Sequence, residues 1–153
     1  MIDGYTTLEP AETIPIGAIF SVNYFEYTSD YAFEGGSHVF WEFCYVDKGQ
    51  IEITEGQEDL VLQKAQIPFH PPGEFHSLRA HGKVAPNLVV ASFSSQGPMM
   101  QRFGRRGLTV GAPGRPLLAR LVDVAGGSVL SPLDGPELEH LARRMDGPPW
   151  RGP

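Results

Sequence analysis

Between Ile16 and Phe93 the chain never runs far without a turn. Short apolar stretches are broken about every ten residues by Gly, Pro or acidic segments. That rhythm is too quick for helices and suits short strands. Ile16–Tyr27 is extended and aromatic. Trp41–Val46 is an apolar run, and Gln50–Thr54 alternates, with Ile51 and Ile53 on one side and Glu52 on the other. A polar turn over 55–59 precedes Leu60-Val61-Leu62. Ile67–His70 runs into Pro71-Pro72-Gly73, which must turn because neither proline can donate to a ladder. His76–Arg79 and Asn87–Ser94 complete the set. Such a succession predicts a mainly β chain, an antiparallel sandwich or barrel.

One strand stands apart. Alternation puts His38, Phe40, Glu42, Cys44 and Val46 on one face and Val39, Trp41, Phe43 and Tyr45 on the other. Both faces are mostly apolar, so the strand is expected to be covered on both sides. A carboxylate and an imidazole then sit among buried groups, and a buried charge needs a partner, a metal or a ligand.

After Phe93 the period changes. Ser94–Pro98 reads as a linker. Leu117, Leu118, Leu121, Val122 and Ala125 form a stripe at helical spacing over 116–126, which Gly126-Gly127 is expected to stop. A second helix is expected over 135–145, entered through Asp134, Pro136 and Glu137 and carrying Leu138, Leu141, Ala142 and Met145. The chain thus divides into an arm (1–15), a barrel (16–95), a helical appendage (96–146) and a tail (147–153). The helices are expected to dock on the outer face of Trp41, Phe43 and Tyr45, with a dimer seam as the alternative.

The 153 residues suffice for one domain with a real core and are too few for two ordinary ones. No apolar run approaches the roughly 18–20 residues that span a bilayer, and Met-Ile-Asp-Gly-Tyr lacks the pattern of a secretory signal. The single cysteine, Cys44, excludes an internal disulfide and fits a reducing cytoplasm, where a small buried hydrophobe is its plain role. Net charge is −6, divided between −9 over residues 1–100 and +3 over 101–153. The eight arginines of the second part are scattered among Gly, Pro and acids without an aromatic-interleaved patch, so direct nucleic-acid binding is not expected.

Two segments carry a resemblance. His38, Glu42 and Gly49 have the spacing of the end of the first cupin motif, G-x5-H-x-H-x3–4-E-x6-G. Pro71-x-Gly73-x2-His76 matches the middle of the second, G-x5-P-x-G-x2-H-x3-N. The first histidine position is Gly36, the leading glycine of the second motif is Ala65, and its closing asparagine is Ala80. The cupin resemblance implies a jelly-roll barrel (a double-stranded β-helix) followed by the two short helices. Over most of 16–145 the chain also resembles the N-terminal effector-sensing domain of AraC-type transcription regulators. The carrying segments are Phe-Trp-Glu-Phe-x-Tyr-Val-Asp-Lys-Gly, His-x-Pro-x-Glu-Phe-His-Ser-Leu-Arg-Ala and Gly-Lys-Val-Ala-Pro-Asn-Leu-Val-Val-x-Ser-Phe. In that group the barrel binds a small molecule, helices make a dimer, and a further pair of helix-turn-helix units reads DNA. No such reader is expected within this sequence, which then stands as an excised sensor domain, a truncation or a stand-alone relative.

The resemblance brings His38, Glu42 and His76 to one cavity. The plainer expectation is that they hydrogen-bond each other or a polar effector, with a raised His38 pKa if it pairs with Glu42. A divalent transition metal (Zn²⁺, Fe²⁺, Mn²⁺ or Ni²⁺) held by the same three residues is the alternative; AraC-type sensors mostly use the cavity without metal. Phe40, Cys44 and Leu78 complete the expected ligand wall, suited to a small, largely neutral polar molecule such as a sugar. Arg79 is expected to face away, Tyr24 and Phe20 to be core aromatics, with a wall or lid as the alternative, His70 to end a strand at the rim, with a ligand role as the alternative, and His81 and His140 to lie on the surface. No nucleophile elbow supports Ser-His-Asp chemistry. The leading expectation is a cytoplasmic, homodimeric sensor domain that is not an enzyme; the runner-up is a metal-dependent cupin isomerase or dioxygenase. A metal-free structural barrel is the third class.

Overall fold

A computed structural model describes residues 4, 6, 8, 11–104 and 107–128. The helix expected over 135–145, with His140, and the tail lie outside them. The strands are β1 (Ile19–Glu26), β2 (Ala32–Gly36), β3 (Trp41–Lys48), β4 (Gln50–Glu55), β5 (Glu58–Gln63), β6 (Gln66–Ile67), β7 (Phe69–His70), β8 (His76–His81), β9 (Asn87–Phe93) and β10 (Leu108–Thr109). A 3-10 helix (Pro98–Phe103) and α1 (Arg115–Ser128) follow β9, with β10 between them.

Two four-stranded sheets face each other, in the orders β1-β9-β3-β7 and β2-β8-β4-β5; β10 pairs with β6 alone. Every strand pairing is antiparallel. The chain steps from one sheet to the other and back as it proceeds, so sequence neighbours such as β1 and β2 lie in opposite sheets. That order is a jelly roll, as the resemblance implied.

The core follows from alternation. Cys44, Val46, Leu88 and Val90 of the first sheet meet Ile51, Ile53, Leu62 and Leu78 of the second. The opposite face of the first sheet is buried as well. Tyr45 and Val89 there pack with Leu118 and Val122 of α1, and Val22 and Ala91 pack with Leu121 and Ala125. This accounts for a β3 apolar on both sides. Trp41 and Phe93 are closed over by Met100 of the 3-10 helix, which begins where the expected linker ends. The second sheet instead turns a polar face outward, with Arg79 paired to Glu52.

Several expectations are corrected. β2 carries no alternating apolar pattern and was not foreseen; it exists because β8 offers it a partner from Ala32↔Arg79 to Gly36↔His76. The helix runs through Gly126 and Gly127 to Ser128. Each interior glycine costs about 1 kcal/mol, and the packing of buried Ala125 against Val22 and Ala91 supports that last turn. Leu117 is 71% exposed and leaves the apolar stripe. Val39, expected to be covered, is 89% exposed, because the chain is still a loop there. Among the described residues no helix is long and apolar enough to cross a membrane.

Candidate functional site

His38 and Phe40 lie not within β3, as alternation suggested, but on the loop that joins β2 to β3. They nonetheless face the same space as Glu42. The His38 ring lies on Phe40 with centroids 4.2 Å apart and planes at 8°. Its Nδ1–H donates to the Phe40 carbonyl at 2.8 Å, which leaves Nε2 toward Glu42 Oε2 at 3.6 Å. A carbonyl can only accept, so the tautomer is set. His76, the first residue of β8, repeats the arrangement: Nδ1–H donates to the Glu74 carbonyl at 3.3 Å, and Nε2 stands 3.5 Å from Glu42 Oε1. Ser92, opposite Glu42 in the β3–β9 register, donates its hydroxyl to Oε2 at 3.1 Å.

Burial alone would raise the Glu42 pKa, but the His38 and His76 rings outweigh it and hold the carboxyl well below the usual carboxylate range. Burial opposes the charged form of His38; Glu42 and the Phe40 carbonyl more than offset this and raise its pKa. Cys44 sits below, its thiol 3.9 Å from Glu42 Oε1, and burial followed by the Glu42 charge pushes its pKa well up.

These groups form the polar end of a cavity of about 690 Å³. Phe20 stacks on Phe40 at 4.9 Å and Tyr27 on Tyr31 at 3.8 Å, and all four rings line it. Cys44, Leu78 and Val90 line the interior. The expected residues His38, Phe40, Glu42, Cys44, His76 and Leu78 are thus brought to one cavity, while Val46 lies in the core beyond it. Tyr24 is on the other side of the first sheet, its hydroxyl donating to Asp47 at 2.7 Å. His81 is 43% exposed beside Glu52.

His70 is the main correction. Expected at the rim, it is fully buried, stacked on His76 with centroids 4.0 Å apart and planes at 2°. It sits opposite Glu42 across β3 and β7. The fold places it there through a two-residue strand between prolines, for which periodicity gives no signal. Tyr27, Tyr31 and Ser92 were also missed; only Ser92, a polar residue between Ala91 and Phe93 in the largely apolar β9, carried a hint.

The donors fit a divalent metal. His38 Nε2 is buried with no hydrogen-bond partner. It and His76 Nε2 stand 3.6 and 3.5 Å from the carboxylate oxygens. Bonds of about 2.1 Å to a tetrahedral ion put neighbouring ligand atoms about 3.4 Å apart. Two imidazoles and a carboxylate suit Zn²⁺, Fe²⁺, Mn²⁺ or Ni²⁺. Bound there, such an ion would polarise a ligand oxygen or acidify a water.

No family profile matches this chain, and no curated protein does. Similar solved structures include a conserved protein of unknown function, SPY1581 from Streptococcus pyogenes, 20% identical with a TM-score of 0.45. The match covers 48% of this chain and 62% of that one, so this chain spans less than two thirds of its length. The Cnp3 cupin domain of Schizosaccharomyces pombe is 16% identical, with 60% of this chain and 69% of that chain covered and a TM-score of 0.46. The DMSP lyase DddQ of Ruegeria pomeroyi is 20% identical, with 49% and 36% covered and a TM-score of 0.40. The three differ in what they are named for.

Proposed function

We propose that this chain is the effector-sensing domain of an AraC-type regulator, holding a small polar molecule in the barrel cavity. The observation that carries the reading is the cavity's division into a polar end and an aromatic wall. His38, Glu42, His76 and Ser92 supply hydrogen-bonding groups at one end. Phe40 and Phe20 beside His38, and Tyr27 and Tyr31, supply flat apolar faces. A sugar-like compound presents both hydroxyls and an apolar ring face, and about 690 Å³ accommodates it. The AraC-type resemblance supplies the regulatory context, including a homodimer and a DNA reader outside this sequence. An effector that binds one arrangement of barrel and helices better than another would bias the attached reader by that difference in affinity. The test is thermal denaturation of the purified chain with a panel of neutral sugars and polyols. A concentration-dependent rise in Tm that Glu42→Gln abolishes supports the reading. No shift with any compound counts against it.

The second reading, a metal-dependent cupin enzyme, is favoured by one specific observation: the 3.5 and 3.6 Å spacing of imidazole nitrogens around Glu42. Elemental analysis of the wild type and of His76→Ala separates the two. A stoichiometric transition metal that is lost in His76→Ala favours the enzyme, and a sugar response in a protein whose metal content does not depend on His76 favours the sensor.

A further inference from the structure

Below the groups that face the cavity lies a second set of donors. Cys44, Glu42 and His70 each offer one ligand atom within 4.8 Å of the others. Cys44 and Glu42 line the cavity, so an ion can reach them from it. His70 is fully buried, and neither of its ring nitrogens makes a hydrogen bond. Glu55 Oε1 comes within 2.8 Å of Nδ1 without the alignment a hydrogen bond needs. A buried imidazole left with both nitrogens unsatisfied is costly, and such groups are rare unless a partner, water or ion completes them. A carboxylate beside one nitrogen of a histidine is also how proteins orient a ring whose other nitrogen binds a metal.

We propose that Cys44, Glu42 and His70 form an inner binding site for a thiophilic divalent ion of the Zn²⁺ kind, with Glu55 orienting His70. The thiolate distinguishes it from the all-nitrogen-and-oxygen set of His38, Glu42 and His76, because sulfur selects Zn²⁺ over harder ions. Glu42 serves both sets, its Oε1 being the oxygen nearer Cys44. Binding displaces the thiol proton to solvent as the sulfur–metal bond forms. The site does not depend on which molecule the cavity holds, so the failure of either proposal leaves the other standing.

Co²⁺ is the probe. The chain has one cysteine, so a thiolate-to-cobalt charge-transfer band in the near ultraviolet can come only from Cys44. Titrating the chelator-treated protein is expected to raise that band. It should be lost in Cys44→Ser, kept in His38→Ala and reached only at tenfold or higher Co²⁺ in His70→Gln. Co²⁺ bound without the band, or no Co²⁺ bound at all, would overturn the proposal. Zinc-edge absorption of the unaltered protein needs no variant to fold. One sulfur at about 2.3 Å is expected, and a shell of nitrogen and oxygen alone overturns the site.

Discussion

His70 lies flat against His76, the two ring planes 2° apart. His76 presents its Nε2 to Glu42, while His70 is sealed from solvent. One imidazole outside the cavity lining thus sets the attitude of another inside it.

Removing that backing ring has a measurable cost. His70→Ala is expected to destabilise the fold by about 2–4 kcal/mol, since it leaves a hole and strips Glu55 of its neighbour. His70→Phe, which keeps a flat ring against His76, should recover part of the loss. Urea denaturation reads both, and an unchanged midpoint for His70→Ala contradicts the packing role.

The Glu42–His38 pair should shape stability against pH. Glu42 titrates lower in the fold than its ordinary value of about 4.3, so its contribution is complete above that value and fades as pH falls below it. His38 titrates higher than its ordinary value of about 6.5, so its contribution is complete below that and fades as pH rises past it. The pair therefore stabilises most between about pH 4.3 and 6.5. Glu42→Gln should cost more stability at pH 5.5 than at pH 8.5. Equal losses at the two values would show that the pair does not form.

The turn from β3 to β4 strongly favours glycine. Gly49 has φ +74°, and a Cβ there would stand 3.1 Å from both Pro86 Cα and the Val84 carbonyl. Gly49→Ala is expected to cost at least about 1–2 kcal/mol from the left-handed backbone alone, read as a fall in Tm.

The two leucines that open α1 should behave differently. Leu118 packs with Tyr45 and Val89, whereas Leu117 is 71% exposed. Leu118→Ala is expected to cost about 2 kcal/mol, and Leu117→Ala to stay within about 0.5 kcal/mol. If Leu117→Ala lowers Tm only at high protein concentration, Leu117 belongs to a dimer seam.

Legibility in the sequence followed the range over which each signal acts. Apolar runs and alternation are local signals; the first identified β3 and β9, and the second identified β4 and the shared side of Glu42 and Cys44. Turn chemistry is also local, and it marked the breaks at 55–59 and Pro71-Pro72-Gly73. What escaped depended on distant partners. β2 is made by β8, and His70 owes its burial to a short strand laid against β3. The helix outlasted its two glycines because Ala125 is held by residues of β1 and β9. Ala65 shows the converse. The leading glycine of the second cupin motif is absent there, yet the backbone keeps φ +73°, so the turn survives without the residue that best suits it.

The pairing of β1 with β9, from Ile19↔Phe93 to Glu26↔Asn87, has a consequence in time. The outer strand at one end of the first sheet waits for a partner more than sixty residues downstream. A chain dominated by such distant pairings is expected to fold in milliseconds to seconds rather than microseconds. On the ribosome the barrel cannot close until β9 has emerged. Until then Cys44 is an ordinary thiol open to solvent on every side, whereas in the finished barrel it is buried and faces the cavity.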